Sequence, residues 1–463
     1  MNPYAMLPEG LLFVGALATL ATGSFVPRRR QALSRAVALA FLALAGVTAG
    51  VGLAGPATSS FDATYAVDTA TGVVRLLVVV GTVLVLLLAV PEVRGNPRES
   101  EFYALVMLAS TGTVVLAGAA DLLVLIAAFF LASIPLYALI GMARGPAAAE
   151  AAVKTYLLGA LFGILLMLGV TLVYGVAGGT GYASLADRLE GAPPTVVAAG
   201  GALVVLGLLF KAGAVPAHFW VPDAAEGTWV AAATYATTIP KVGAVVAVYR
   251  LVDALPGGTA GPLVAVLAVA SMTLGNLAAL SQEGPRRLLG WSTVSQVGYL
   301  LVPAAAAGRS DLALPALLVY LAAYVVTNTA AFAVVAAVPW RGRLADYRGA
   351  GRGRPVLAGS LLVALLGLLG TPPTAVFVAK VAVSAAAWDA GSAWLAVAVL
   401  LNTVLSLAYY LRWVAPVFAR VQVSTEEDGV ANRGPLAVAA VSAAASVAVG
   451  LLAGVLWSVL VAP

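Results

Sequence analysis

Apolar runs of about twenty residues follow one another along almost the whole chain, separated by short polar turns. A helix needs roughly that length to cross the ~30 Å hydrocarbon core of a bilayer. The runs read as fourteen cores: Leu11 to Val26, Ala36 to Ala54, Val73 to Val90, Tyr103 to Ala119, Leu122 to Ala143, Ala152 to Ala177, Val196 to Ala214, Trp229 to Leu251, Leu263 to Leu280, Leu288 to Ala306, Leu312 to Val338, Val356 to Ala386, Trp394 to Phe418 and Pro435 to Val461. The pattern predicts an all-α polytopic membrane protein with about 14 transmembrane helices in a single integral membrane domain, 1–463. The twelfth core is too long for one straight span and contains Gly-Thr-Pro-Pro-Thr at Gly370 to Thr374. Proline lacks the amide that continues a helix and its ring clashes with the preceding turn, so a break is predicted there. A second break is predicted after Lys211, where Pro216 and Pro222 follow. Irregular backbone at membrane depth is tolerated only where protein or a wet cavity covers it.

Charged residues sharpen the picture because they are so few. Lys211, Lys241 and Lys380 lie well inside apolar runs, the first and third close to the predicted breaks. A charge at membrane depth costs at least about 2.5 kcal/mol on insertion scales, so such residues face a bundle interior or a watery path. One such lysine could snorkel its amine to an interface. Three together predict a proton relay, since dry surroundings favour the neutral amine and a carboxylate or water favours the charged one. The chain's one histidine, His218, stands just past Pro216, and an imidazole there suits a proton shuttle. Glu150 and Lys154 are spaced for a pair on one helix face, and Glu101 and Asp121 stand at helix starts where a carboxylate complements the dipole.

The composition, 62% hydrophobic and 10% charged with a net charge of +5, is that of a membrane protein. Its basic residues are scattered through short loops, which excludes a nucleic-acid footprint. No cysteine is present, so a disulfide framework, thiolate zinc site, iron–sulfur cluster and covalent haem motif are excluded, and a single histidine makes no histidine metal site. No Walker pattern occurs. Glu9 precedes the first apolar run and no basic residue does, so that run is expected to remain as a helix rather than be cleaved. Sixteen basic residues fall in turns after odd-numbered helices, among them Arg28, Arg29, Arg94, Arg286, Arg348 and Arg420, and four (Arg75, Arg188, Arg250, Arg309) on the other side. The positive-inside rule then places the odd turns in the cytoplasm of a multi-pass cell-membrane protein and both termini outside. Glu426, Glu427 and Asp428 read as part of a solvated cytoplasmic turn.

Several stretches carry a family resemblance: EFYALVMLAS from Glu101, EAAVKTYLLGA from Glu150, LLFKAGAVPAHFWVPDAAEG from Leu208, IPKVGAVVAVYRL from Ile239, GNLAALSQEGPRRLLGWSTVSQVGYLL from Gly275, LLGLLGTPPTAVFVAKVAV from Leu365 and AYYLRW from Ala408. Together they resemble the antiporter-like, proton-translocating membrane subunits of NADH:quinone oxidoreductase, respiratory complex I, which share a family with multisubunit Na+/H+ antiporters. The Gly275 stretch is more similar to subunit N than to L or M. The resemblance implies two inverted five-helix repeats with helices 7 and 12 broken: three N-terminal helices in 1–100, repeats in 101–254 and 261–419, and a last helix in 434–461. It implies that Lys211, Lys241 and Lys380 are the relay lysines of helices seven, eight and twelve. It implies no cofactor on this chain, with quinone, flavin and iron–sulfur centres on partner subunits of a complex I-like assembly. One departure stands out. The family's helix-five glutamate, which pairs with the helix-seven lysine, is aligned with Phe130, and Asp121 is about 13 Å away along the helix, too far to replace it. Two other functions therefore stay open: a subunit of a cation/proton antiporter or bicarbonate-uptake system, and a non-pumping structural subunit. Operon neighbours distinguish the first of these from a redox assembly.

The topology is testable because the chain has no native cysteine. A cysteine placed at Arg348 is expected to react with an impermeant maleimide in inside-out vesicles and to stay unlabelled in intact cells. Labelling from outside overturns the orientation.

Overall fold

A computed structural model describes residues 3–256, 260–419 and 429–461. The basic residue Arg420 and the acidic run at Glu426, Glu427 and Asp428 lie outside the described residues. Helices occupy all fourteen apolar runs: α1 (Leu7–Phe25), α2 (Ala32–Leu53), α3 (Thr69–Val93), α4 (Glu99–Gly118), α5 (Leu122–Gly141), α6 (Pro146–Ala177), a short α7 (Leu185–Arg188), α8 (Pro194–Ala212), α9 (Trp220–Gly227), α10 (Val230–Ala254), α11 (Gly261–Leu280), α12 (Pro285–Ala305), α13 (Ala313–Ala337), α14 (Pro355–Leu369), α15 (Ala375–Asp389), α16 (Ala393–Val417), α17 (Arg433–Leu451) and α18 (Ala453–Val461). By length and composition, 12 of the described helices are able to cross a membrane unaided. The other two expected spans differ for physical reasons. The tenth, α12, carries Ser292, Thr293, Ser295 and Gln296, and the twelfth is split into α14 and α15.

Local chemistry sets the helix ends. Asp68 caps α3 by accepting from the Thr71 amide at 2.9 Å, and Asp121 caps α5 by accepting from Leu123 and Val124, as its place in the sequence predicts. Glu101 makes no cap and instead lies 3.8 Å from Arg98, both exposed. Prolines open α6, α8, α12 and α14, where the missing amide costs nothing. The sequence pattern did not predict the small antiparallel hairpin of β1 (Thr58–Ser60) and β2 (Tyr65–Val67) between α2 and α3.

The core is built around α10, buried without interruption from Val230 to Val248, and α13, which packs beside it. Glycines let backbones meet. A Cβ at Gly112 would lie 2.3 Å from the Ala132 amide of α5, and one at Gly243 would lie 2.2 Å from the Thr113 carbonyl of α4. Such close approach drives helix association where lipid removes the hydrophobic incentive.

The first three helices are pinned by a buried ion pair. Arg75 of α3 grips Glu9 of α1 with two bonds of 2.7 and 3.0 Å and reaches the Ala5 carbonyl at 2.8 Å, while the Tyr65 hydroxyl of β2 donates to the same carboxylate at 2.7 Å. Both charges are almost fully buried, at 2% and 4% exposure. Removing one partner of such a pair strands the other, which costs about 3–5 kcal/mol, whereas an apolar replacement of both is far milder. Arg75→Ala is therefore expected to lower the thermal stability of the membrane-extracted protein much more than the double change Glu9→Leu with Arg75→Met. Equal losses would contradict the stranded-charge account.

Candidate functional site

The two breaks in the bundle are made alike. At the first, α8 ends on Gly213, whose φ of +81° is left-handed, and the amides of Gly213 and Ala214 return to the Leu209 carbonyl at 2.8 and 3.0 Å. At the second, α14 ends on Gly370 with φ +88°, and the amides of Gly370 and Thr371 return to the Leu366 carbonyl at 3.0 Å each. The bonds close each half-helix and leave irregular backbone, 213–219 and 370–374, before α9 and α15 resume.

A lysine amine lies over each of these glycines. Lys241 reaches across from α10, and a Cβ at Gly213 would lie 3.3 Å from its Nζ. The amine is 4.4 Å from the centre of the Trp220 ring, and that indole is fixed across the break by donating to the Phe210 carbonyl at 3.1 Å. Lys380 folds back from α15 to donate to the Leu369 carbonyl at 2.9 Å, with its Nζ 4.1 Å from the centre of the Tyr299 ring. Aromatic faces and the partial negative charge at a helix C-terminus both favour an ammonium. Lys380 thus has a carbonyl and a ring face, Lys241 has a ring face and no hydrogen-bond partner, and neither pairs with a carboxylate among the described residues.

Lys211 is different. It is fully buried in the last turn of α8, its Nζ lies 5.5 Å from the Phe129 ring centre and 6.0 Å from that of Phe210, and no carboxylate pairs with it among the described residues. The helix-five ring within cation–π range is Phe129. Phe130, the position aligned with the family's glutamate, packs toward α6, where a Cβ at Gly163 would lie 3.2 Å from its ring. Sequence alignment assigned the position, but only the rotation of α5 says which ring faces the amine.

His218 is buried against Phe219 and Trp291, with ring centres 4.2 and 5.5 Å away, and no hydrogen bond joins it to a lysine among the described residues. The structure places it within the irregular backbone of the first break.

Between the two breaks runs a buried line of neutral polar groups. Asn328 of α13 donates to Thr238 at 2.9 Å and Thr237 at 3.3 Å, one turn before Lys241. Tyr324 donates to the Thr237 carbonyl at 2.7 Å and to Thr293 at 3.2 Å. Tyr320 donates to Gln296 at 2.8 Å, and Gln296 donates at 2.8 Å to the Leu368 carbonyl, next to the carbonyl that holds Lys380. Beyond lie Ser292 with Tyr410 and Asn276 with Tyr409. The sequence carried a readable signal for this line: Ser292, Gln296 and Tyr299, and Tyr320, Tyr324 and Asn328, recur at helical spacing on one face of otherwise apolar helices.

At the arginine-rich end, α9 is tied to both sides of the bundle. Asp223 binds Lys154 of α6 at 2.9 Å and Arg287 of α12 at 2.8 Å, while Glu150 and Glu226 join the same cluster. Glu92 of α3 caps α10 from outside, accepting from the amides of Val230 and Ala231 at 2.7 and 2.9 Å, and Arg286 donates to the carbonyls of Ala225 and Thr228. The helix that carries Lys241 is therefore fixed at the end by which it enters the core.

Residues 119–406 match the sequence model of a family described as "NADH:quinone oxidoreductase/Mrp antiporter, TM". The chain belongs to this NADH:quinone oxidoreductase/Mrp antiporter transmembrane family. Within it, the chain is 56% identical over 460 residues to the NADH-quinone oxidoreductase subunit N of Mycobacterium sp. (strain JLS), covering 99% of this chain and 98% of the relative. It is 48% identical to NADH-quinone oxidoreductase subunit N 1 of Streptomyces griseus subsp. griseus, again over 99% of this chain and 98% of the relative. A chain of respiratory complex I from Thermus thermophilus superposes with a TM-score of 0.84 at 33% identity, over 98% of this chain and 99% of that one. A chain of the Mrp complex from Dietzia sp. DQ12-45-1b shares the fold, with a TM-score of 0.85 at 22% identity over 100% of this chain and 97% of that one. The fold of the NADH:quinone oxidoreductase/Mrp antiporter family is thus present across this chain.

The two-fold demand on Gly213 gives a test. Alanine there takes on a left-handed conformation costing roughly 1–2 kcal/mol and also crowds Lys241 and Val221. Alanine at Gly391, with φ +72° and open space around it, takes on the conformational cost alone. Gly213→Ala is expected to impair proton transport by the parent assembly, and Gly391→Ala to lower stability by the conformational cost alone with transport intact. Equal transport in the two variants contradicts the placement of Lys241 against Gly213.

Proposed function

We propose that this chain is an N-type, proton-translocating membrane subunit of a complex I-like NADH:quinone oxidoreductase. The observation that carries the proposal is the repeated construction at the breaks, where an amine is held at membrane depth over a left-handed glycine and an aromatic face, with a buried hydroxyl and amide line between the two. The near full-length identity to subunits of that name supports the assembly. In this reading quinone, flavin and iron–sulfur chemistry belongs to partner subunits, and neighbouring membrane subunits flank the chain in the cell membrane. The arginine-rich turns face the cytoplasm and both termini lie outside.

Lys241 and Lys380 are the proposed relay members, and the two breaks are the proposed centres of inverted repeats spanning 101–254 and 261–419. A positioned amine binds a proton when its surroundings are wet or negative and releases it when they are not. Thr237, Tyr324, Thr293, Gln296 and Tyr320 hold hydrogen bonds along the intervening route, and none of them needs to change charge. Lys211 precedes the first break and His218 lies within it. Without a carboxylate on α5, Lys211 lacks the partner that would hold or release its proton, so its contribution is smaller.

The test is to tag the chain, isolate what it carries from membranes and reconstitute that assembly in vesicles. NADH-dependent quinone reduction that moves protons across the vesicle membrane is the expected result, with Lys211→Ala reducing pumping per electron less than Lys241→Ala. Recovery of an assembly that exchanges cations for protons without redox activity would overturn the proposal.

A further inference from the structure

At the arginine-rich end of the molecule, where α1 turns into α2 and α3 into α4, the four helix ends enclose a cavity of about 350 Å³. Arg28, Arg29, Arg35 and Arg94 line it together with Gln31 and Glu99. Glu99 is already committed, accepting from the Gly95 amide and the Tyr103 hydroxyl at 3.0 Å each. No ion pair involves any of the four arginines among the described residues. Three arginines elsewhere at this end are answered within the chain: Arg287 by Asp223 and Glu226, Arg286 and Arg412 by backbone carbonyls. Four guanidinium groups around one small cavity repel one another and leave an excess of three positive charges over Glu99.

The cavity is held in shape. Gln31 is buried, and its amide donates to the Gly23 and Val26 carbonyls at 2.8 and 3.1 Å, which pins the α1–α2 turn. Those bonds also fix the amide's orientation, leaving its oxygen an acceptor with no donor among the described residues. The cavity opens beside apolar surface that the protein leaves uncovered: Phe25 at the end of α1 is 89% exposed, and Leu33 on α2 is half-exposed. A ligand matched to both features has a phosphate that accepts from forked guanidinium groups and a hydrocarbon tail that lies along α1 and α2.

We propose that this cavity binds the headgroup of an anionic phospholipid, with the acyl chains against the exposed faces of α1 and α2. The lipid's phosphate offsets part of the cluster's positive charge and fastens the three N-terminal helices to the surrounding leaflet.

The test uses whatever assembly the tagged chain brings from the membrane, stripped of loosely held lipid and examined by native mass spectrometry while phosphatidylglycerol is added back. One tightly retained phosphatidylglycerol per chain is expected, with phosphatidylcholine failing to replace it and added salt weakening it. The double change Arg28→Gln with Arg94→Gln is expected to weaken retention roughly thirty-fold, at about fivefold for each arginine near a membrane surface. The charge-matched pair Arg30→Gln with Arg98→Gln, neither of which lines the cavity, is expected to retain the lipid as the unaltered protein does. If the double variant does not assemble, Arg94→Gln alone is expected to show the fivefold loss. Equal retention in all variants overturns the proposal. So does equal retention of phosphatidylcholine, displacement by inorganic phosphate at matched concentration, or a cross-link from position 29 to an acidic segment of another protein.

Discussion

The fold depends on one constraint: a primary amine placed at membrane depth must be given back, by protein, part of what water gave it. The chain meets that constraint by breaking helices. Where α14 stops, the Leu369 carbonyl takes the Lys380 amine, and at both breaks a left-handed glycine with no Cβ lets an amine approach. Trp220 and Tyr299 then present ring faces at 4.4 and 4.1 Å. An unbroken helix would offer neither its terminal dipole nor the space. Carboxylates, the usual answer to a buried cation, stay at the bundle's ends, in the Asp223 cluster, the Glu92 cap and the Glu9–Arg75 pair.

Holding an amine over a particular glycine requires rigid supports on every side. α10 provides the central one, since glycine contacts bring α4 close to it and Glu92 and Arg286 lock its entry. Its polar side chains Thr237 and Thr238 accept from Asn328 of α13 rather than facing lipid. The same hydrogen bonds that keep buried hydroxyls satisfied therefore mark out a polar direction between the first break and the second. Packing and proposed transport draw on the same groups.

Much of this was legible in the sequence because a bilayer forces backbone bonds into helices, and helices into long apolar runs. The breaks announced themselves through Pro216, Pro372 and Pro373, and the three lysines through their depth in apolar sequence. Other features depend on which residues meet from afar. The Glu9–Arg75 contact spans 66 residues, so Arg75 read as a charge on one side of the membrane when it is a buried clamp. Asp223 read as part of a motif, yet its work is to join α6 to α12. The facing of α5 could not be deduced either: composition reports that helix five lacks an acid, while the rotation that turns Phe129 to Lys211 and Phe130 to α6 is a property of packing. The polar line through α12 and α13 was written at helical spacing but blended with small hydroxyl residues common in any membrane helix.

The central claim is that the amines at the two breaks carry protons and are not remnants in a scaffold. The measurement that reaches it most directly is protons moved per electron in vesicles containing the parent assembly with Lys241→Ala or Lys380→Ala, compared at matched rates of electron transfer. The account predicts a clear fall in that ratio for each variant while assembly and quinone reduction persist. An unchanged ratio in both variants would contradict it and leave this chain a structural member of the complex.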